Sequence, residues 1–238
     1  MRSLLLLLSL CTTFILSAQH LAYPEWQMQS ARDMRLMPRF GGREKNAEQL
    51  ASDSAFLAQT LAIEPNRTKA AEHLAQLGFQ LLAEGNMVNA MYRFNQAYLL
   101  DPKEPEVFRG YGAFFMALDR STEAGQEYAN GLMIDSTNVP LMVDFAAAFL
   151  AEQHQFEKTY PEKAAQLLEA AIRLLERARS FDPKNGEAAF KLSICHAVKG
   201  ECSAAWRYHD MAKSLGSPST TPEYEARLQL DCPRIVPK

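Results

Sequence analysis

The side chains that could do chemistry are few and scattered. His20, His73, His154, His196 and His209 have no partners at the spacing of a metal site or a catalytic triad. Cys195, His196, Cys202 and His209 are the right types for zinc, but neither a Cys-x-x-Cys nor a His-x3–5-His spacing joins them. General acid–base work needs clustered proton donors and acceptors. Glu152, His154, Glu157 and Glu162 form the one such group, in a stretch that reads as a solvated loop. Gly41-Gly42-Arg43-Glu44-Lys45 is glycine-rich and basic, but no strand precedes it, so it reads as a flexible turn rather than a phosphate loop. There is no Gly-x-Ser-x-Gly and no His-Glu-x-x-His. The expectation is no catalytic, cofactor-binding or metal-binding residue, and a protein that is not an enzyme.

The cysteines depend on where the chain ends up. Arg2 is followed by an uncharged run from Leu4 to Leu16, 13 residues, shorter than the roughly 18 needed to cross a bilayer, and then by the small Ala18. This is the order of a signal peptide over residues 1–18, cleaved after Ala18; an uncleaved anchor is the alternative. Cys11 sits inside the apolar run behind bulky Leu10, where lipoprotein processing needs a small residue. Export to a periplasmic or extracellular compartment leaves no integral membrane span and an oxidising environment. Three cysteines remain, enough for one disulfide and one thiol. A Cys195–Cys202 bridge across Lys199-Gly200-Glu201 is the first expectation, and Cys202–Cys232 the second.

What would position such residues is a repeat. Gly78 recurs as Gly112, Ala90 as Ala124, Phe94 as Tyr128 and Ala97 as Gly131, all at a spacing of 34. Leu74, Leu77, Gly78 and Leu81 form one helical stripe. Gly85-Asn86 makes a turn, and Ala90, Phe94 and Ala97 share a face of a second helix, which Asp101-Pro102 ends. The small residues allow close helix approach, and Phe94 fills the space between. Leu77, Gly78, Ala90, Phe94, Ala97 and Pro102 resemble the tetratricopeptide repeat (TPR) family. Leu74 and Leu81 depart from it by replacing aromatics with smaller apolar groups. The resemblance implies an all-α, right-handed superhelical solenoid of antiparallel helix pairs, about four repeats over residues 71–216 (71–104, 105–138, 139–185 and 186–216).

The third repeat carries 13 extra residues, since Pro183 lies 81 beyond Pro102. Gln153 to Tyr160 is the expected loop, and Thr159-Tyr160-Pro161-Glu162 reads as a capping box opening a long second helix. Ser193, His196, Ala205 and His209 mark a looser fourth repeat, suited to the end of a stack. Residues 217–238 read as a linker with a short helix capped by Thr221. Residues 46–64 read as an amphipathic capping helix, with Leu50, Phe56 or Leu57, and Leu61 facing the array. Residues 19–45 show no period and are expected to be extended or flexible, or to lie back in the array's own groove.

Composition sets the outer bounds. The 238 residues are 47 % hydrophobic and carry a net charge of -3, ordinary for a folded chain and without the basic surplus that nucleic acid demands. The resemblance implies a concave face lined by first helices, giving Phe79, Leu82, Arg109, Met116, Val143 and Leu150 as a partner groove. Ala75 and Phe79 stand where some relatives place Lys and Asn to grip a carboxylate terminus, which disfavours that role. The expected function is an exported, non-enzymatic scaffold for a protein or peptide partner. The alternative is an accessory or catalytic domain acting on cell-envelope polymers through Glu152, His154, Glu157 and Glu162.

Overall fold

A computed structural model describes residues 21–234. The expected signal peptide, its cleavage point after Ala18, and Cys11 lie outside the described residues, as do residues 235–238. Within them are eleven α-helices and no strand. After α1 (Tyr23–Arg32) and α2 (Ala47–Ile63), four antiparallel pairs follow: α3 (Arg67–Ala83) with α4 (Met87–Leu100), α5 (Pro105–Ala117) with α6 (Ser121–Ile134), α7 (Val139–Phe156) with α8 (Pro161–Phe181), and α9 (Gly186–Val198) with α10 (Cys202–Ser214). The helix α11 (Pro222–Asp231) closes the stack.

Glycine set against an aromatic ring locks the first two pairs. A Cβ added at Gly78 would lie 2.4 Å from the Phe94 ring, and one at Gly110 would lie 2.3 Å from the same ring on its other side. Phe94 is thus held between α3 and α5. One period later, a Cβ at Gly112 would lie 2.2 Å from Tyr128. Both rings are essentially inaccessible to water. Only a residue without a side chain lets the backbone approach a ring this closely.

The joints between pairs repeat as well. The Asp101, Asp135 and Asp182 carboxylates accept the backbone N–H of Lys103, Thr137 and Lys184, two residues on. Asp101, Asp135 and Asp182 also accept from the backbone of Glu104, Asn138 and Asn185. Those last three residues cap α5, α7 and α9. Aspartate thereby ends one pair and sets the start of the next.

The 13 extra residues of the third pair do not form the expected loop at Gln153–Tyr160. They lengthen helices: α7 has 18 residues where α5 has 13, α8 has 21 where α6 has 14, and the turn between them gains one. Ala164, Leu168, Ala171, Leu175 and Ala178 are buried at helical spacing, so the added turns continue an apolar stripe. Tyr160, not Thr159, stands at the N-cap of α8, and its side chain makes no capping bond.

The disulfide joins Cys202 to Cys232, not to Cys195. The two faces of the fourth pair explain this. Cys195 is buried in the cluster with Met142, Leu168 and Leu192, whereas Cys202 packs with Trp206, Leu228 and Cys232. The bridge holds the end of α11 against the start of α10, and the Trp206 indole N–H donates to the Cys232 carbonyl at 2.8 Å. Burial pushes the Cys195 thiol up to about 12, which keeps it protonated and unreactive.

Leu50 departs from the expected packing of α2. It is 54 % exposed, and Asp53, Phe56, Leu57 and Leu61 turn inward instead.

Gly78→Ala tests the ring lock. Alanine in an open helix would stabilise by about 1 kcal/mol; here the collision should reverse the sign and cost about 1–3 kcal/mol. Urea unfolding should show a lower midpoint for Gly78→Ala than for Gly125→Ala, whose added Cβ would lie 3.2 Å from Phe145. Peptide mapping without reductant should find the 202–232 bridge, and iodoacetamide should label Cys195 only after unfolding.

Candidate docking groove and the clasp behind it

First helices α3, α5 and α7 are tied together by one arginine. Arg109 Nε donates to Asp144 Oδ2 and its Nη1 to Glu106 Oε2, each at 2.7 Å. Its guanidinium lies 4.6 Å over the Phe79 ring centroid. Burial works against the charge, but Asp144 and Glu106 outweigh it and hold the guanidinium above its ordinary pKa. Leu82 and Met116 are half-buried beside the core of the first two pairs, and Leu150 is half-buried beside that of the third. Phe79, Leu82, Met116 and Leu150 are thus half-buried apolar side chains on three first helices, which Arg109 links through its ion pairs and its ring contact.

Val143 does not belong with those side chains. It is only 6 % exposed, packed in the cluster with Leu168, Ile172 and Leu192. Asp144, its neighbour, reaches across to α5 instead, 35 positions after the Arg109 it binds.

Residues 21–45 are neither extended nor laid in this groove. They fold into α1 and two short turns that clasp α4, α5 and α6, on the side of the second helices. Trp26 packs edge-on against Phe114 and Phe115, with centroids 6.1 and 5.7 Å away, and its indole N–H donates to the Leu36 carbonyl at 2.9 Å. The Tyr92 hydroxyl donates to Asp33 at 2.7 Å. Buried Asn95 donates through Nδ2 to the carbonyls of Arg35 and Met37, at 2.8 and 2.9 Å. The Tyr111 hydroxyl donates to Asn95 Oδ1 at 2.8 Å and accepts the backbone N–H of Arg39 at 3.2 Å.

Arg39 closes the clasp. Its guanidinium makes two bonds to the Glu127 carboxylate, at 2.5 and 2.7 Å, and lies over the Phe108 and Tyr111 rings. Glu127 is 8 % exposed. The bond to Glu127 holds the Arg39 charge more firmly than usual. This geometry requires a left-handed backbone: φ is +52° at Arg39 and +58° at Phe40, before Gly41 and Gly42 at +64°. Each non-glycine residue there costs about 1–2 kcal/mol. The ion pair and the burial of Phe40 offset that strain.

The other sequence candidates sit apart from both features. His154 Nδ1 is 3.6 Å from Glu157 where α7 meets α8, and its side chain is 81 % exposed. His196 Nδ1 lies 2.5 Å from Glu201. His209 is buried beside Trp206 and Tyr224, under the closing helix. Cys202 is committed to Cys232, so the four zinc-type residues share no site.

A thermophilic TPR protein of Thermus thermophilus, known from its crystal structure, is similar to this chain with a TM-score of 0.60. The two are 23 % identical, and the match covers 69 % of this chain and 84 % of that one. The likeness establishes a TPR-type helical array as the fold. No protein-family model and no curated protein match the sequence.

Glu127→Gln should release the clasp. With Trp206→Phe as background, Trp26 is the sole indole, and its emission should shift to the red as it meets water. The loss in stability should be about 2 kcal/mol, from breaking a charge-assisted bond under strain. Acid should loosen the clasp too. The bond from Arg35 holds the Asp33 carboxyl down to about 2, so its contribution is full above the unfolded value of about 3.9 and fades as pH falls toward 2. In a folded Trp206→Phe protein, no change in Trp26 emission between pH 4.5 and 2 would contradict this.

Proposed function

We propose that this chain is an exported, non-enzymatic scaffold that holds a protein partner in the groove of its first helices. One observation carries the reading: Phe79, Leu82, Met116 and Leu150 leave a half-buried apolar floor across three repeats, and the chain's own N-terminal residues bind elsewhere. Apolar floors of this kind receive extended or helical segments of other proteins. The side chain of His154 is 81 % exposed and that of Glu157 39 %, which suits a solvated turn better than a general acid–base pair. Export rests on the order of charge, apolar run and small residue in 1–18, and the Cys202–Cys232 bridge suits an oxidising compartment. No described helix is long and apolar enough to cross a membrane. The charge of -3 favours a protein over a nucleic acid as partner.

The test is capture from a native envelope or culture fraction, with the tagged mature chain compared against Met116→Asp and Leu150→Asp. The same protein should be enriched by the native chain and by the second-helix surface variant Glu176→Gln, and lost by both groove variants. A partner retained by both groove variants, once each is shown to be folded, would move the site elsewhere. Sequencing the secreted or periplasmic protein from its N-terminus should begin at Gln19.

A further inference from the structure

We propose that the groove's occupant is a protein segment in which apolar side chains stand beside lysine or arginine; this rests on the groove reading above and adds the partner's charge. Four acids lie toward the starting ends of the first helices: Glu72 in the second turn of α3, Glu104 at the N-cap of α5, Glu106 in its first turn, and Asp144 in the second turn of α7. Their basic neighbour is Arg109, already held by two of them. The Glu106–Arg109–Asp144 group therefore keeps one net negative charge, and Glu72 and Glu104 add to it. Glu104 is 6 % exposed, and its carboxylate takes part in no ion pair among the described residues; it accepts the backbone N–H of Glu106 at 3.3 Å. Burial raises its pKa, and the negative charges of Glu72, Glu106 and Asp101 raise it further. Exposed Glu72 and half-buried Glu106 are the acids an arriving cation can reach, and the enclosed Glu104 carboxylate adds to the negative field around them.

The geometry sets the rest. Glu72 and Glu106 occupy the same place in successive repeats, 34 positions apart, one helical turn before Ala75 and Arg109. The apolar floor of Phe79, Leu82 and Met116 continues along the same two helices. A segment lying across them meets acids on one flank and apolar groups on the other. An acidic segment there would face uncompensated repulsion, whereas a basic one needs no rearrangement of Arg109.

Two labelled peptides of equal length test this on the full mature chain by fluorescence anisotropy: leucines interspersed with lysines, and leucines interspersed with glutamates. The lysine peptide should bind about tenfold tighter or more. Glu72→Gln with Glu104→Gln should weaken it about fivefold, and Glu72→Gln alone, which leaves the buried cap intact, should weaken it in the same direction. Met116→Asp should strengthen its Coulomb attraction yet weaken binding, because the floor is lost. A charge-matched control, Glu48→Gln with Glu176→Gln, should leave affinity within about twofold. Equal weakening by that control, a preference for the glutamate peptide, or binding of neither peptide overturns the proposed charge. Indifference to Met116→Asp sinks the groove reading itself.

Discussion

The packing of the first two pairs depends on helix backbones coming close enough to share one ring. Phe94 has glycine on both sides, Gly78 in its own pair and Gly110 in the next, so it sets the spacing within a repeat and between repeats. Tyr128 against Gly112 transmits the same spacing one step on. The ring supplies buried area, and the glycines supply its seat. Fixing that distance fixes the angle at which first helices present Phe79, Leu82 and Met116. The aspartate turns at 101, 135 and 182 then only have to join elements already spaced.

The two sides of the array use aromatic and charged groups differently. On the first helices, Arg109 ties α3, α5 and α7 together through Phe79, Glu106 and Asp144. On the clasp side, Glu127 takes the Arg39 charge, the Phe108 and Tyr111 rings take its plane, and Asn95 holds the chain at Arg35 and Met37, on either side of Leu36.

Local pattern made the repeat legible. Gly78, Ala90, Phe94 and Ala97 return after 34 residues because each pair solves the same packing problem with the same sizes. The insertion misled because polar Gln153, His154 and Gln155 read as loop, while the helix carries them for another turn; α7 ends only at Phe156. The clasp had no local signal. Trp26, Leu36 and Phe40 show no period, and their places are fixed by Phe114, Asn95 and Tyr111, dozens of residues away. Val143 failed as a groove residue for a related reason. A position carried along by period does not report that its side chain has been enclosed by the neighbouring cluster. For the cysteines, sequence proximity pointed to 195 with 202, but Cys195 within α9 and Cys202 at the start of α10 face different cores.

The clasp also imposes an order of events on the chain. Arg39 and Glu127 are 88 residues apart, whereas each helix pair closes over a short turn. Contacts between near neighbours form before distant ones, because closing a long loop carries an entropic cost that nothing repays until both ends exist. Glu127, Tyr111 and Asn95 come together only when α4, α5 and α6 have stacked. The left-handed turn at Arg39 and Phe40 has no local reason to form before that. The residues made first are therefore seated last, and their docking signals that the first two repeats are complete.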